Sequence, residues 1–373
     1  MLMPYKDLHS EPFDETTITK LEIFEDYAEA WIPTFVMQPG IDEIHVFDFF
    51  SGPGCDKNEV AGSPIRLLAK ITSYLGLFLS TKTKIVLHLN EFEPTKVRQE
   101  KFDLLKKNCE EFLVANPKLR YFVTVEYYNE DAETLFFKLL PKVKKYPSLV
   151  YLDQNGVKFI SKQFIQELEK LSSVDFIYFV SSSYFWRLGG TEEFKRVLDF
   201  DMEELKKGAY RNIHRTVIGA LKKELPINTT LKMFPFSLKK GTNIYGIIFG
   251  AKHFRAVDKF LDVAWKRNQT NGEADFDIDN DEKKSQLDIF EGRKMTKVET
   301  FKIELEELIL SGSLKDNREL LIYTYEAGHL PTHSVEVMKR LKKNGKILYD
   351  GKTPAINYEN VFKKKNIVEY KLK

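Results

Sequence analysis

Five apolar segments, each followed by a helical segment, occupy the first half of this 373-residue chain. They are EIHVFDFF, TKIVLHLNEF, LRYFVTVEYY, SLVYLDQNG and DFIYFVSSSYF. Nearly continuous apolar runs are typical of strands that are buried on both faces of a sheet. Because strands alternate with helices throughout, the sequence predicts a doubly wound α/β domain with a mostly parallel sheet.

Two further apolar segments, TTLKMFPFSLKK and NIYGIIFGAKH, are separated only by Lys240, Gly241 and Thr242. A connection this short can join antiparallel strands but not parallel ones. A seven-stranded, mostly parallel sheet whose last pair turns antiparallel is the layout of class I methyltransferases. We therefore expect a Rossmann-like, methyltransferase-type domain over residues 1–268.

A second unit is predicted over residues 296–373. The segments VETFKIELEELIL, DNRELLIYTYEAG and THSVEVMKRLKKNG have helical spacing, and KILYDGK and NIVEYKLK can pair as strands. Three helices followed by a hairpin predict a winged helix-turn-helix module. Residues 269–295, which are polar, acidic and without periodicity, are predicted to form a linker or loop.

Charge is distributed unevenly along the chain. The whole chain carries +2, whereas residues 331–373 hold eleven Lys or Arg and four Asp or Glu, a net charge of +7. In winged helices the third helix enters the major groove and the wing contacts the backbone, so a basic module of this kind favours nucleic-acid binding. A solvated surface and a protein-binding module remain open alternatives. The candidate nucleic-acid contacts are Arg187, Lys339, Arg340, Lys342, Lys343, Lys363, Lys364 and Lys365.

Cysteine content and the amino terminus indicate the compartment. Cys55 and Cys109 are the only cysteines, which is too few for a disulfide framework or a cysteine-based zinc site. The start of the chain is too acidic for a signal peptide, and no apolar run approaches the ~20 residues that cross a bilayer. We expect a cytoplasmic protein without a metal site.

The stretch DFFSGPG, residues 48–54, follows the first strand and contains the candidate cofactor site. Glycines there allow a ligand to approach the backbone closely, at the sheet edge where doubly wound folds bind nucleotide-type cofactors. A dinucleotide fingerprint would need a third glycine, so NAD is disfavoured. S-adenosylmethionine fits better, with Asp48 facing its ammonium group, Ser51, Gly52 and Gly54 in the turn, and Glu91 after the second strand on its ribose.

The end of the fourth strand holds the candidate catalytic residues, Asp153 and Asn155. In amino-methyltransferases this position carries Asp or Asn followed by two prolines and an aromatic residue. That element accepts hydrogen bonds from the amine and stacks the target base. The present chain keeps the acceptor, Asp153, but lacks the prolines and the aromatic ring. Asn155 followed by Gly156 also suits an ordinary turn.

In the order and spacing of several segments, the sequence resembles the three-Cys-motif partner proteins (TcmP). They are KLEIFEDYAEAWIPTF, DFFSGPG, GSPIRLL, LNEFEP, YLDQNG, YFWRLGG, IYGIIFGAKHFRAVDKFLDVAW and EAGHLPTHSVEVMKRLKKNGKI. The resemblance implies a methyltransferase-like domain, a helix-turn-helix and a radical-SAM-like partner that carries three cysteines. The family generally shows Asp-Pro-Phe-Gly where this chain has residues 153–156.

Two functions follow as hypotheses from these features. The first is an S-adenosylmethionine-dependent methyltransferase that acts on nucleic acid. The second is a non-catalytic adaptor that binds a nucleotide-like ligand and nucleic acid, with a role in phage defence as a further option. Since one fold serves many functions, the site has to decide between them.

Overall fold

The computed structural model describes residues 12–92, 98–153, 162–181, 210–284 and 294–373. Contacts within the chain define two compact units. The first consists of residues 1–233 and 239–252, and the second of residues 234–238 and 253–373. The domain boundaries that follow residues 268 and 295 in the sequence prediction stay predictions.

A seven-stranded sheet is the frame of the fold. Its strands are β1 (Glu43–Asp48), β2 (Lys84–Asn90), β3 (Val123–Tyr128), β4 (Ser148–Leu152), β5 (Val174–Ser181), β6 (Lys232–Lys240) and β7 (Asn243–Ala251). Their order in space is β3-β2-β1-β4-β5-β7-β6. Pairing is parallel from β3 through β5, and β7 is antiparallel to β5. The predicted class I methyltransferase-like sheet is confirmed.

The helices of the first unit include those that connect successive strands. They are α1 (Glu15–Val36), α2 (Ser63–Ser73), α3 (Leu75–Thr81), α4 (Arg98–Ala115), α5 (Ala132–Lys145), α6 (Lys162–Glu169) and α7 (Ile213–Lys223). Short 3₁₀ turns occur at Pro117–Tyr121 and Tyr210–Asn212. Helix α1 begins after Asp14, whose carboxylate accepts a hydrogen bond from the Thr17 amide at 2.8 Å, as an N-cap should.

Several phenylalanine side chains lie in the otherwise mainly aliphatic core of the first unit. Phe47, Phe49, Phe136 and Phe176 are all almost completely buried. Burying each such side chain stabilises the fold by about 1.5–3 kcal/mol. The ring of Phe176 needs the glycine opposite it on β7, because a Cβ atom at Gly250 would lie 2.0 Å from that ring.

The second unit contains five helices among the residues that are described. They are α8 (Phe254–Arg267), α9 (Asp281–Lys284), α10 (Lys297–Leu310), α11 (Asn317–Glu326) and α12 (Pro331–Lys343). Strands β8 (Ile347–Leu348) and β9 (Lys371–Leu372) pair antiparallel, and a π-helical turn spans Glu359–Lys363. The three helices α10 to α12 and the strand pair β8–β9 occur where the sequence predicted them.

Part of the segment predicted as an acidic linker or loop is held inside the second unit. The Ser237 amide donates to the Glu273 carbonyl at 2.7 Å, and the Asp275 amide donates to the Ser237 carbonyl at 3.0 Å. Ala274 and Ile278 are buried. These bonds attach the segment to β6 residues of the same unit, which its polar composition did not reveal.

Two histidines form a buried chain of hydrogen bonds across β1, β2 and β3. Nδ1 of His45 lies 2.8 Å from Nε2 of His88, and Nδ1 of His88 lies 3.1 Å from the Tyr128 hydroxyl. Burial, with the positive potential of His45 and Lys142, lowers the pKa of His88 to about 3, against the opposing effect of Glu126. The ring of His88 also stacks on Phe47 at 4.2 Å.

We expect His88 to make the folded state less stable in acid. Its pKa is lower in the folded than in the unfolded chain, so the unfolded chain binds more protons between about pH 3 and pH 6.5. The unfolding free energy of the wild type minus that of His88→Gln should therefore rise between pH 4.5 and pH 6.5, on the order of 1 kcal/mol per pH unit. Urea unfolding followed by circular dichroism measures it, and a constant difference would contradict the prediction.

Candidate functional site

The turn after β1 is built around the carboxylate of Asp48. One carboxylate oxygen accepts a hydrogen bond from the Phe50 amide at 3.1 Å, and the other accepts from the Ser63 hydroxyl, at the start of α2, at 2.6 Å. The hydroxyl of Ser51 donates to the backbone carbonyl of Asp48 at 3.1 Å. Asp48 is 2% exposed, so its direct effect is to fix the turn against the start of α2.

The end of β2 supplies the second acid of the site. Glu91 is buried, and its Oε2 atom accepts a hydrogen bond from the Gly52 amide at 2.9 Å. One residue earlier, the Ser51 amide donates to the carbonyl of Asn90 at 2.9 Å. The carboxyl ends of β1 and β2 are thus tied together through the turn that follows Asp48. The predicted roles of Asp48 and Glu91 as cofactor contacts stay predictions.

Both glycines of the turn have left-handed backbone conformations, with φ of 61° at Gly52 and 89° at Gly54. A Cβ atom on Gly54 would lie 3.3 Å from the Cβ atom of Asn108, whose side chain donates to the Pro53 carbonyl at 2.7 Å. Gly54 is therefore required by the turn itself. A Gly54→Val variant would strain the turn whether or not a ligand binds there.

Asp153 lies at the carboxyl end of β4 and makes an ion pair with Lys20 of α1. Tyr151 donates to the same oxygen, Oδ2, at 3.4 Å, and the Lys20 ammonium lies 4.3 Å from the centre of the Phe179 ring. The sequence did not predict Lys20 as a site residue. Its only signal was its place in the KLEIFEDYAEAW segment.

Two of the predicted site residues, Asn155 and Arg187, lie outside the described residues. Asp153 is the last described residue before one of these gaps. Their proposed roles in catalysis and nucleic-acid binding stay predictions.

Electrostatics couple the two acids at the ends of β1 and β4. Burial and, to a smaller extent, the negative charge of Asp153 raise the pKa of Asp48, whereas hydrogen bonds from Ser63, Phe50 and Ser51 lower it. The net effect is a pKa of about 7. Asp48 therefore stays protonated to a higher pH than an ordinary aspartate.

The site combines a buried turn with two left-handed glycines, a buried carboxylate after β2 and a carboxylate–ammonium pair after β4. Such a sheet edge can hold a nucleoside through its hydroxyl groups and place a second molecule beside Asp153. Within the described part of the chain, no group of three or more His, Cys, Asp or Glu could hold a metal ion.

The predicted basic contacts of the second unit fall into two groups. Arg340 pairs with Glu306 at 2.6 Å, Lys363 pairs with Glu359 at 3.4 Å, and Lys342 donates to the Tyr349 carbonyl at 3.0 Å. The other group is exposed and makes no ion pair with any described residue. It consists of Lys339, Lys343, Lys364 and Lys365.

The exposed lysines of α12 share one face. Lys339 and Lys343 are four residues apart on this helix, so their side chains are neighbours on its surface. The paired or backbone-bound cations of the module are less available to an anionic ligand. The structure therefore distinguishes exposed lysines from paired cations among the predicted nucleic-acid contacts, a distinction that the sequence did not make.

Comparison with known sequences identifies one segment. Residues 276–354 match the family described as the GMT-like wHTH domain. This match and the three-helix-plus-strand arrangement define the C-terminal module as a winged helix-turn-helix. No curated protein matches the chain.

Solved structures with similar folds are methyltransferases. The O-methyltransferase TomG from Streptomyces achromogenes, in complex with SAM, is 11% identical and covers 65% of this chain and 92% of its own, with a TM-score of 0.32. An O-methyltransferase from Bacillus cereus, in complex with SAH, is 13% identical over 64% of this chain and 91% of its own, with a TM-score of 0.32. A human methyltransferase 10 domain containing protein is 11% identical over 65% and 85%, with a TM-score of 0.30.

The fold and the site together define the class: a Rossmann-like methyltransferase-type sheet with a C-terminal winged helix. The resemblance to the three-Cys-motif partner proteins stays a prediction. No helix among the described residues is long and apolar enough to cross a bilayer.

We expect the contribution of Asp48 to the unfolding free energy to change with pH in the direction opposite to that of His88. Its pKa is raised in the folded protein, so the folded chain binds more protons between about pH 4 and pH 7. The stability of wild type relative to Asp48→Asn should fall as pH rises through this window, on the order of 1 kcal/mol per pH unit. Urea unfolding at pH 5, 6, 7 and 8 measures it. A difference that stays constant from pH 5 to pH 8 would contradict the prediction, because a carboxyl that is ionised in both the folded and the unfolded chain adds no pH dependence.

Proposed function

We propose that this protein is an S-adenosylmethionine-dependent methyltransferase that acts on nucleic acid. The proposal rests on the hydrogen bond between the Gly52 amide and the Glu91 carboxylate. This bond lies at the carboxyl edge of a sheet with the methyltransferase strand order. Ligands of open α/β sheets bind at this edge, where the strand order reverses, here between β1 and β4.

The described residues suit this cofactor. Glu91 supplies a carboxylate that can accept hydrogen bonds from ribose hydroxyl groups. The backbone at Gly52 and Gly54 would lie beside the cofactor's methionine part. Asp48 would act mainly by holding the turn, and its contact with the ammonium group stays a prediction. When bound, the cofactor supplies an electrophilic methyl group.

The second unit supports nucleic acid as the substrate. Its match to a wHTH domain is compatible with groove binding, and Lys339 and Lys343 are exposed cations on α12, the third of the helices α10 to α12. Lysines contact phosphates more than base edges, so binding should show little sequence preference. A radical-SAM-like partner, a role in phage defence and a cytoplasmic location remain predictions from the sequence.

Replacing Glu91 with Gln tests the cofactor assignment. The new side chain keeps an oxygen that can accept from the Gly52 amide, but it loses the charge that strengthens hydrogen bonds to the ribose. Calorimetry should show S-adenosylmethionine binding roughly tenfold weaker or more, since such bonds contribute about 1.5–3 kcal/mol. Glu111→Gln, on exposed α4, is the control and should bind as wild type. Failure of the wild type to bind would remove the methyltransferase proposal.

Reversing the charge of Lys339 and Lys343 tests the nucleic-acid interface. The double Glu variant of the full chain should bind duplex DNA and RNA more weakly, because two phosphate contacts are lost. The slope of log affinity against log salt should fall by roughly two. Lys118→Glu with Lys144→Glu changes the net charge equally on exposed lysines of the first unit, and should have little effect. Equal weakening by both pairs would indicate a non-specific effect of net charge.

A further inference from the structure

The ion pair between Lys20 and Asp153 offers one hydrogen-bond donor and one acceptor, and this combination indicates which kind of atom is methylated. We propose that these two residues bind and activate a hydroxyl group, and that the substrate is RNA, methylated on a ribose 2′-oxygen. The proposal rests on the proposed function, since it names the acceptor of that same site. Lys20 and Asp153 would then be catalytic residues.

Hydroxyl and amino groups differ in the number of hydrogen bonds that they donate and accept, so the site can distinguish them as targets of methylation. An exocyclic amino group of a base presents two N–H donors, so a site that holds it needs acceptors alone. Here Asp153 is already paired with the ammonium group of Lys20. An amino group would meet that ammonium group, and both would be hydrogen-bond donors. A hydroxyl group has one donor and two lone pairs. It is matched by one carboxylate and one ammonium group.

The pair is placed where an incoming group could reach it. The side chains of Lys20 and Asp153 are 11% and 16% exposed, in contrast to the fully buried core around them. Lys20 is ion-paired with Oδ2 of Asp153, and Tyr151 donates a hydrogen bond to the same oxygen. Oδ1 has no hydrogen-bond partner among the described residues, and it is the atom that would accept the hydroxyl proton.

Structural anchoring of α1 does not require this pair. Tyr27 donates to Asp175 at 2.7 Å, and Arg66 of α2 donates to Glu25 at 2.7 Å. Lys70 of α2 also pairs with Glu29 at 2.7 Å. Since α1 is fixed by these contacts and by its apolar face, Lys20 variants should remain folded.

The nucleic-acid proposal narrows the choice of hydroxyl. Within an internal nucleotide, the ribose 2′-hydroxyl is the sugar hydroxyl that remains free, and DNA lacks it. Phosphate oxygens are already anionic and need no group to take a proton. A site that pairs one donor with one acceptor therefore favours RNA over DNA.

The reaction balances with the groups named. The ribose oxygen forms a bond to the methyl carbon, and the carbon–sulfur bond breaks with its electron pair remaining on sulfur. The hydroxyl proton passes to Asp153 and from there to water. Lys20 donates a hydrogen bond to the ribose oxygen, orients its lone pair and offsets the negative charge that develops there.

The test uses the full-length protein with S-adenosylmethionine, and with total RNA and genomic DNA from cells that lack it. Mass spectrometry of digested nucleosides distinguishes 2′-O-methylated from base-methylated products. We expect methyl transfer to RNA alone, as 2′-O-methylnucleosides. Lys20→Met and Asp153→Asn should each lower the rate at least roughly 100-fold, with cofactor affinity measured by calorimetry nearly unchanged. Lys252→Met removes another ion-paired and largely buried lysine of the first unit, whose partner is Glu169 of α6, and should retain the wild-type rate.

Each other outcome overturns the inference in a distinguishable way. Methylated bases, or methylated DNA, would leave the proposed function standing and remove the hydroxyl acceptor. Wild-type rates in folded Lys20→Met would reduce the pair to a structural contact. Cofactor binding without transfer to either nucleic acid would favour the adaptor, and absence of cofactor binding would remove both proposals.

Discussion

The buried carboxylate of Asp48 is the constraint on which the arrangement of the site depends. Removing a carboxylate from water is unfavourable unless it is hydrogen-bonded or protonated, and Asp48 is partly both. Its hydrogen bonds define where the chain turns after β1 and where α2 begins. Glu91 holds the same turn from β2 through its hydrogen bond with the Gly52 amide, so the ends of β1 and β2 are joined at one sheet edge.

The Lys20–Asp153 pair shows how a departure from a familiar pattern acquires chemical meaning in three dimensions. On sequence alone, Asp153 kept the acceptor of an amine site without the prolines and the aromatic ring that would follow it. The structure adds an ammonium group from α1, more than a hundred residues earlier in the chain. The proposed hydroxyl acceptor needs no amine-binding element, because the pair offers one donor and one acceptor.

The second unit shows the limits of charge as a guide to binding. Its predicted basic contacts lie in two sequence clusters, 339–343 and 363–365, yet Arg340 is paired with Glu306 and Lys342 donates to backbone carbonyls. Lys339 and Lys343 remain exposed because helical spacing turns them to one face. The cations that stabilise the module and those that can meet a ligand are therefore different residues.

Periodicity determined the fold, since continuous apolar strands alternating with helices permit few arrangements other than a doubly wound sheet. Parallel pairing then brings Asp48 and Glu91 to one edge, so that both could be predicted. Lys20 could not, because a lysine on an amphipathic helix carries no local signal of its partner. Nor could the neighbourhood of Asp48 and Asp153, which raises the pKa of Asp48, since that depends on the order β1-β4 in space. The local sequence pattern specifies the helices and strands and the sheet edge at which their ends lie. Contacts between residues far apart in the chain are fixed only by tertiary packing.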